Sequence, residues 1–320
     1  MSSAQPRSSL RPSLDWELDF YSRPILEADG RKRWELLICS SPDPSGRPTD
    51  SLGSPSDPRL SPPSASAGPE AGFRWQLTCP AESVNSIWLR QGIEAALAAA
   101  AEQGWARPRR LRCWRGSMRT MVQRAAEGLG LELVPSRRCY QLVEWLQQRQ
   151  RDVYPHEPGY LAGPLAPPAQ PIRPVAVPLP EAVRGHSWDW ATLPVGALRE
   201  ACEWEIGFSG LMPLPRQLAA DTAVPGIRLF GRARALAIAG WLAGLEPVRL
   251  EIEANRLVLE AGLEDRWLLA NLTADESEAA ALAFAAARDQ AGGMQFITVL
   301  SDPSAERLEG FWLLRDLADG

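Results

Sequence analysis

The alternation of hydrophobic and polar positions in the first half of the chain predicts a mixed α/β fold. Two alternating runs flank the turn at residues 27–30, which is a hairpin signal, and a third run begins near Phe73. Apolar residues three and four positions apart predict a long helix from about residue 83 to residue 104. Strand, helix, strand and helix then follow up to Pro155, with Ser117 as the expected N-cap of the second helix.

The resulting order is three strands, helix, strand, helix, strand, helix, or βββαβαβα. This succession is typical of a ribonuclease H-like domain, and we predict that layout for residues 15–155. Pro135 lies in the last strand, which we therefore expect at a sheet edge.

The second half predicts another mixed unit of the α/β or α+β class. Strands are expected at 188–194, 226–230, in two alternating runs around the turn Ala254-Asn255, and at 265–272. Helices are expected at 197–205, 232–245 and 275–290, the last with an acidic first turn that suits the helix dipole. Two further strands close the sheet at the C-terminus, and the apolar run 310–314 favours a buried strand over a docking surface.

Two proline-rich stretches interrupt this periodic pattern. Of the 29 prolines, 8 lie between residues 41 and 70 and 9 between residues 155 and 180. The first stretch separates two strands of one domain, so it predicts a disordered loop insertion at 41–71. The second predicts a linker at 156–181. The expected organisation is a flexible N-terminus (1–14), a first domain (15–155), this linker and a second domain (182–320).

The net charge of −5 is unevenly distributed between a basic and an acidic part of the chain. Residues 71–155 contain 13 Arg and 7 acidic residues, a net charge of +6, whereas residues 181–320 contain 12 Arg and 21 acidic residues, a net charge of −9. A basic N-terminal domain and an acidic C-terminal domain are therefore expected.

Composition narrows the class of protein without naming an activity. Hydrophobic residues make up 45% and charged residues 23%, which is typical of a globular protein. Five cysteines without a CxxC pair favour neither a disulfide framework nor a zinc ribbon, so a reducing compartment is expected. No apolar run is long enough for a membrane span, and the first residues lack the apolar centre of a secretory signal. We predict a cytoplasmic protein that needs no metal or cofactor.

The carboxylates that a metal-dependent nuclease of this fold needs are incomplete. Asp19 lies on the first strand and Glu82 or Glu94 near the first helix, but the predicted fourth strand, 109–115, carries arginines where a carboxylate is needed. Only two histidines occur, both in or beside the linker, and no phosphate-binding glycine loop opens a helix. We therefore predict no catalytic residues, and a divalent-metal-dependent nuclease is the least favoured alternative.

A segment rich in arginine and aromatic residues is the strongest local indication of a ligand. Guanidinium groups bind phosphate and stack on bases, and aromatic rings provide platforms for unpaired bases, so single-stranded RNA is the candidate ligand. By strand alternation, Arg110, Arg112 and Trp114 should share one face and Arg109 and Arg115 the other. A solvated basic face and a surface for an acidic protein remain open alternatives. The candidate RNA-binding residues are Arg109, Arg110, Arg112, Arg115, Arg119, Arg137, Arg138, Trp114 and Tyr140.

Five segments together resemble one family, the Tab-type RNA-binding proteins of oxygenic phototrophs. The resemblance covers both domains outside the proline-rich stretches, and the tripeptide Trp312-Leu313-Leu314 matches the C-terminal hallmark of the family. The segments are 16–24, 33–38, 84–86, 135–140 and 310–314.

The resemblance implies a non-catalytic protein that promotes translation of photosystem mRNAs and biogenesis of photosystem I, and also of photosystem II. Chloroplast members of the family act on A/U-rich 5' untranslated RNA in the stroma. Because no convincing transit peptide precedes Trp16, we expect a cyanobacterium-like relative in the cytoplasm. The long insertion after Cys39 departs from the family core. An assembly scaffold, whose basic strip binds photosystem or translation proteins in place of RNA, is the second hypothesis.

Overall fold

The computed structural model describes residues 15–41, 72–162, 174–212 and 214–315. The predicted flexible N-terminus and, except for Ser41, the predicted loop insertion lie outside the described residues, as does the middle of the predicted linker. The fold is mixed α/β, as the sequence predicts, and the described strands form three sheets.

The first half contains the predicted order of three strands, helix, strand, helix, strand and helix. Its sheet has the order β3-β2-β1-β4-β5, in which β2 runs antiparallel to β1 and β4 runs parallel to it. Pro135 ends the edge strand β5, as predicted. The assignment to the ribonuclease H-like fold stays a prediction. The elements are β1 (Asp15–Leu26), β2 (Lys32–Ser40), β3 (Arg74–Cys79), α1 (Ser86–Glu102), β4 (Arg110–Cys113), α2 (Arg119–Glu127), β5 (Glu132–Pro135) and α3 (Tyr140–Asp152).

The N-termini of the first two helices differ from the sequence prediction. The side chain of Asn85 accepts hydrogen bonds from the backbone N–H groups of Ile87 and Trp88, so α1 begins after this cap. The prediction of Ser117 as the cap of α2 is wrong. A 3₁₀ turn at Gly116–Met118 already contains Ser117, and α2 continues from it with no side-chain cap.

Strand β1 is buried on both of its faces. Trp16, Leu18 and Phe20 pack into the core formed with α1 and α2. Glu17 and Asp19 alternate with them and therefore face the opposite side of the sheet, where α3 packs. Both carboxyl side chains are fully buried, so the first half encloses ionisable groups at its centre.

The second half forms two sheets, with the strand orders β7-β9-β13-β14-β8 and β10-β11-β12-β6. The helix predicted at 197–205 is shorter than expected, because α4 ends at Arg199 and a 3₁₀ turn at Ala201–Glu203 follows. The elements are β6 (Val177–Pro178), β7 (Ser187–Pro194), α4 (Val195–Arg199), β8 (Ile206–Gly210), β9 (Ala223–Phe230), α5 (Ala235–Leu245), β10 (Pro247–Glu253), β11 (Arg256–Ala261), β12 (Asp265–Asn271), α6 (Ala274–Gln290), β13 (Met294–Leu300) and β14 (Leu308–Arg315).

The last strand, β14, is buried, as predicted. It lies between β13 and β8, so it is an inner strand of its sheet. Trp312 and Leu314 pack into one core of this half, whereas Leu313 packs on the opposite face of the sheet. A Cβ atom at Gly310 or Gly210 would overlap the Trp312 ring. The tripeptide therefore fills the interior, with two glycines making room for the indole.

Candidate nucleic-acid interface

The arginines of β4 are paired with carboxylates. Asp15 accepts from Arg110 Nε at 2.8 Å and pairs with Arg112 NH1 at 2.7 Å, so Arg110 and Arg112 share a face, as the alternation predicts. Arg112 also binds Glu246 of the second half through two hydrogen bonds, of 2.9 and 3.1 Å. Burial raises the pKa of Glu246, but the hydrogen bonds and charge of Arg112 outweigh it and hold that pKa below its ordinary value.

Arg137, Arg138 and Tyr140 lie at the contact between the two halves of the chain. Arg137 pairs with Glu260 at 2.8 Å, and Arg138 donates to the carbonyl oxygen of Pro247 at 2.6 Å. Tyr140 is buried in a core of the second half, where its hydroxyl accepts from the backbone N–H of Arg315. Together with Arg112, these residues join the basic half to the acidic half.

Trp114 and Arg115 both reach Asp19. The Trp114 indole donates to Asp19 at 3.1 Å, and Arg115 Nε pairs with the same oxygen at 2.6 Å. The prediction that Trp114 and Arg115 lie on opposite faces is wrong, because β4 ends at Cys113 and strand alternation ends with it. The Arg115 guanidinium lies between two rings, 4.1 Å from the centre of Tyr21 and 4.4 Å from that of Trp114.

Asp19 belongs to a buried network of charges. Its second oxygen pairs with Arg23 at 2.8 Å, and Arg23 Nε binds Glu35 at 3.0 Å. Glu35 also accepts from Arg149 and from the hydroxyl of Tyr154. Burial raises the pKa of Asp19, but the charges of Arg23 and Arg115 outweigh it and lower that pKa. The carboxylate stays ionised between two guanidinium groups.

The carboxylates considered for a nuclease are not brought together. Asp19 faces the α3 side of the sheet, whereas Glu94 lies on α1, which packs on the other side, and Glu82 is exposed beside Arg31. Within the described ranges, no group of three or more His, Cys, Asp or Glu side chains is arranged to hold a metal ion. His156 and His186 are both exposed. No helix in the same ranges is long and apolar enough to cross a membrane.

Arg109 and Arg119 are the two predicted RNA-binding arginines that remain exposed. Arg109 lies immediately before β4, and Arg119 begins α2. In the part of the chain that the structure describes, neither guanidinium forms an ion pair. Sequence reasoning did not identify Asp15, Glu246 and Glu260 as the partners of the arginine run. The opposite net charges of the two halves were the signal that could have indicated Glu246 and Glu260, which lie in the acidic half.

Glu17 has an unusual electrostatic environment beneath α3. One of its carboxyl oxygens accepts from the backbone N–H of Leu142 at 2.8 Å, and the Sγ atom of Cys39 lies 4.0 Å away. Burial raises the pKa of Glu17 to about 8, which the hydrogen bond from Leu142 and the charge of Arg112 only partly oppose.

Stability should therefore fall between pH 5 and 8 because of Glu17. The folded protein retains a proton on this group that the unfolded chain releases near its ordinary pKa of 4.5, so the free energy of unfolding decreases as the pH rises through this window. In Glu17→Gln, the decrease in the free energy of unfolding across this window should be smaller by about 3 to 5 kcal/mol. Urea unfolding at a series of pH values measures it. Glu94→Gln, at an exposed site, should keep the wild-type dependence, and an unchanged dependence in Glu17→Gln would contradict the assignment.

Comparison with known families decides what the chain is related to. The model of the N-terminal domain of the RNA-binding protein Tab2/Atab2 matches residues 15–149, and the model of its C-terminal domain matches residues 166–315. The chain belongs to the Tab2/Atab2 family of RNA-binding proteins. The family resemblance seen in the five sequence segments is thus confirmed.

Two curated relatives of this family are similar to the chain over nearly its whole length. The chloroplastic protein TAB2 homolog of Zea mays is 34% identical over 318 residues, which cover 95% of this chain and 72% of the relative. The chloroplastic protein TAB2 homolog of Arabidopsis thaliana is 30% identical over 332 residues, which cover 99% of this chain and 78% of the relative. No solved structure matches the chain.

Proposed function

We propose that this protein binds single-stranded, A/U-rich RNA and promotes translation of photosystem mRNAs and biogenesis of photosystems I and II, without catalysing a reaction. The observation that carries the proposal is the match of both halves to the domains of an RNA-binding family. Both curated relatives are chloroplastic proteins, which supports a role connected with photosystems. For this chain we propose the cytoplasm, with the domains at 15–155 and 182–320 and the linker at 156–181.

Arg109 and Arg119 are the arginines that we propose make the first contacts with RNA phosphates. Both are exposed, and neither forms an ion pair with a carboxylate among the described residues. Phosphate can therefore approach them without displacing a carboxylate. The partly buried ring of Trp114 is the stacking surface in this proposal. The other residues of the predicted set already bind carboxylate or backbone groups of the protein. They contact RNA only if they give up these partners. These residues are Arg110, Arg112, Arg115, Arg137, Arg138 and Tyr140.

Fluorescence anisotropy with a labelled A/U-rich single-stranded RNA, over a salt series and with or without Mg²⁺, tests this function. We expect submicromolar binding that weakens steeply with salt and leaves the RNA intact. Arg109→Gln with Arg119→Gln should lower the slope of log affinity against log salt by about 1.4, since each single-strand phosphate contact contributes about 0.7.

The matched control removes two exposed arginines of the same half, through Arg31→Gln with Arg151→Gln, and should keep the wild-type slope. Absence of binding at low salt would overturn RNA binding and favour the assembly scaffold. Cleavage that requires Mg²⁺ would revive the nuclease.

A further inference from the structure

A second basic surface lies in the acidic half of the chain. Strands β9 and β13 are parallel and adjacent, so their carboxyl ends meet at one edge of the sheet. Strand β7 is antiparallel to β9 and begins there, with Ser187 opposite Phe230. In open α/β sheets, this edge is where ligands usually bind.

Four exposed basic side chains from two segments meet at this edge. Arg232 and Arg234 follow β9, whereas Arg184 and His186 precede β7. Arg232 NH2 lies 2.6 Å from the Nε2 atom of His186, and Arg234 NH1 donates to the carbonyl oxygen of Glu181 at 2.9 Å. We call Arg184, His186, Arg232 and Arg234 the carboxyl-end patch.

The guanidinium groups of this patch have no carboxylate partners among the described residues. Arg184 donates to the carbonyl oxygen of Leu179, so all three arginines bind groups that carry no negative charge. Other arginines of the same half differ: Arg228 pairs with Asp189, and Arg249 pairs with Glu260. The patch therefore retains its positive charge in a half whose net charge is −9.

Asp302, an acidic residue beside the patch, is already engaged within its own loop, and Glu181 contacts Arg234 through its backbone carbonyl oxygen. The backbone N–H of Arg232 donates to the carbonyl oxygen of Ser301, which places Asp302 close by. The Asp302 carboxylate accepts from the backbone N–H of Ser304 at 2.9 Å and from its hydroxyl at 2.6 Å. This carboxylate stabilises the turn and leaves the guanidinium groups available.

The backbone that carries Arg232 is held in a fixed position. Gly231 donates to the carbonyl oxygen of Leu300, and a Cβ atom on Gly231 would lie 2.6 Å from the Cα atom of Ala235. Arg232 itself adopts φ +48°, in the left-handed region that non-glycine residues rarely occupy. Arg232 and Arg234 are therefore presented from a tightly packed loop, which limits the entropy lost when they bind.

We propose that the carboxyl-end patch binds the phosphate backbone of the RNA. This inference rests on the RNA binding proposed above and assigns part of it to the C-terminal half. Guanidinium groups bind phosphate oxygens through charge-assisted hydrogen bonds, and the patch contains no Trp, Tyr or Phe side chain for base stacking. It therefore adds affinity that does not depend on base sequence.

The experiment compares full-length variants by anisotropy with A/U-rich and C-rich single-stranded RNA of equal length. Arg232→Gln with Arg234→Gln should weaken binding of both RNAs about tenfold at 0.15 M salt and lower the salt slope by about 1.4. Arg232→Lys with Arg234→Lys preserves the charge and should keep the slope. The matched control, Arg199→Gln with Arg256→Gln, removes two exposed arginines outside the patch; Arg199 likewise donates to a carbonyl oxygen.

Each outcome separates this inference from the proposed function. If the wild-type protein binds no RNA at low salt, both are overturned. If the wild-type protein binds RNA and the patch variant binds as well as the control variant, only the RNA-binding role of the patch is overturned. A loss of affinity confined to A/U-rich RNA overturns that role as well. Circular dichroism checks the fold. Arg184→Gln with His186→Gln, from the other segment, repeats the test should the first pair destabilise the protein.

Discussion

Replacement of Trp312 by alanine is expected to lower the free energy of unfolding by about 3 to 5 kcal/mol. The indole is 3% exposed and packs in the core between the two sheets of the second half. Its ring covers Gly310 and Gly210, which cannot refill the space, so truncation leaves a cavity. Urea unfolding followed by circular dichroism measures the loss, because far-ultraviolet signals do not depend on the removed indole.

Two further variants separate a packing role from a binding role for Trp312. Trp312→Phe retains much of the apolar volume and should cost about 1 to 2 kcal/mol. Leu236→Ala, at a side chain that is 56% exposed, should cost less than about 1 kcal/mol. A Trp312→Ala protein with wild-type stability but impaired RNA or protein binding would contradict the packing role and indicate a docking surface.

Replacement of Asp19 by asparagine is expected to cost about 3 to 5 kcal/mol of unfolding free energy. It leaves the fully buried Arg115 without its carboxylate partner and leaves the fully buried Arg23 with Glu35 alone. Because the pKa of Asp19 is lowered in the folded state, its contribution is present above the ordinary pKa of 3.8 and is lost as the pH falls through the folded value. Urea titrations at pH 7 and in acid therefore measure both the loss and its decrease in acid.

Asp189→Asn provides the matched control for Asp19. Asp189 also pairs with an arginine, Arg228, but both side chains are more than one third exposed, so this change should cost less than about 1 kcal/mol. Equal costs for the two variants would contradict the role of burial. A stable Asp19→Asn protein would show that the buried guanidinium groups find other partners.

The order of elements in the first half was predictable because it depends on local patterns. The alternation in β1 and β2 and the helical spacing in α1 involve residues a few positions apart, and the hairpin turn lies between them. The error at Trp114 and Arg115 arose where a local rule was extended past Cys113, the end of the strand. The short α4 shows the same limit, since its sequence pattern does not mark where a 3₁₀ turn replaces the α-helix.

The partners of the arginine run were not predictable in the same way. Arg112 and Glu246 are separated by 134 positions, and Arg110 and Asp15 by 95, so no periodicity connects them. Strand alternation puts Glu17 and Asp19 on the face opposite the apolar residues of β1. A polar face is ordinarily solvated, and the burial of this one beneath α3 depends on long-range packing.

The contact through Arg112, Arg137 and Arg138 makes each half of the chain chemically incomplete without the other. Separation of the two halves would expose guanidinium groups on one piece and leave Glu246 on the other without its arginine partner. Substitutions at these positions therefore have to be matched across the contact, so halves taken from two different relatives are compatible only when their charges correspond. The two halves are constrained to diverge as a pair.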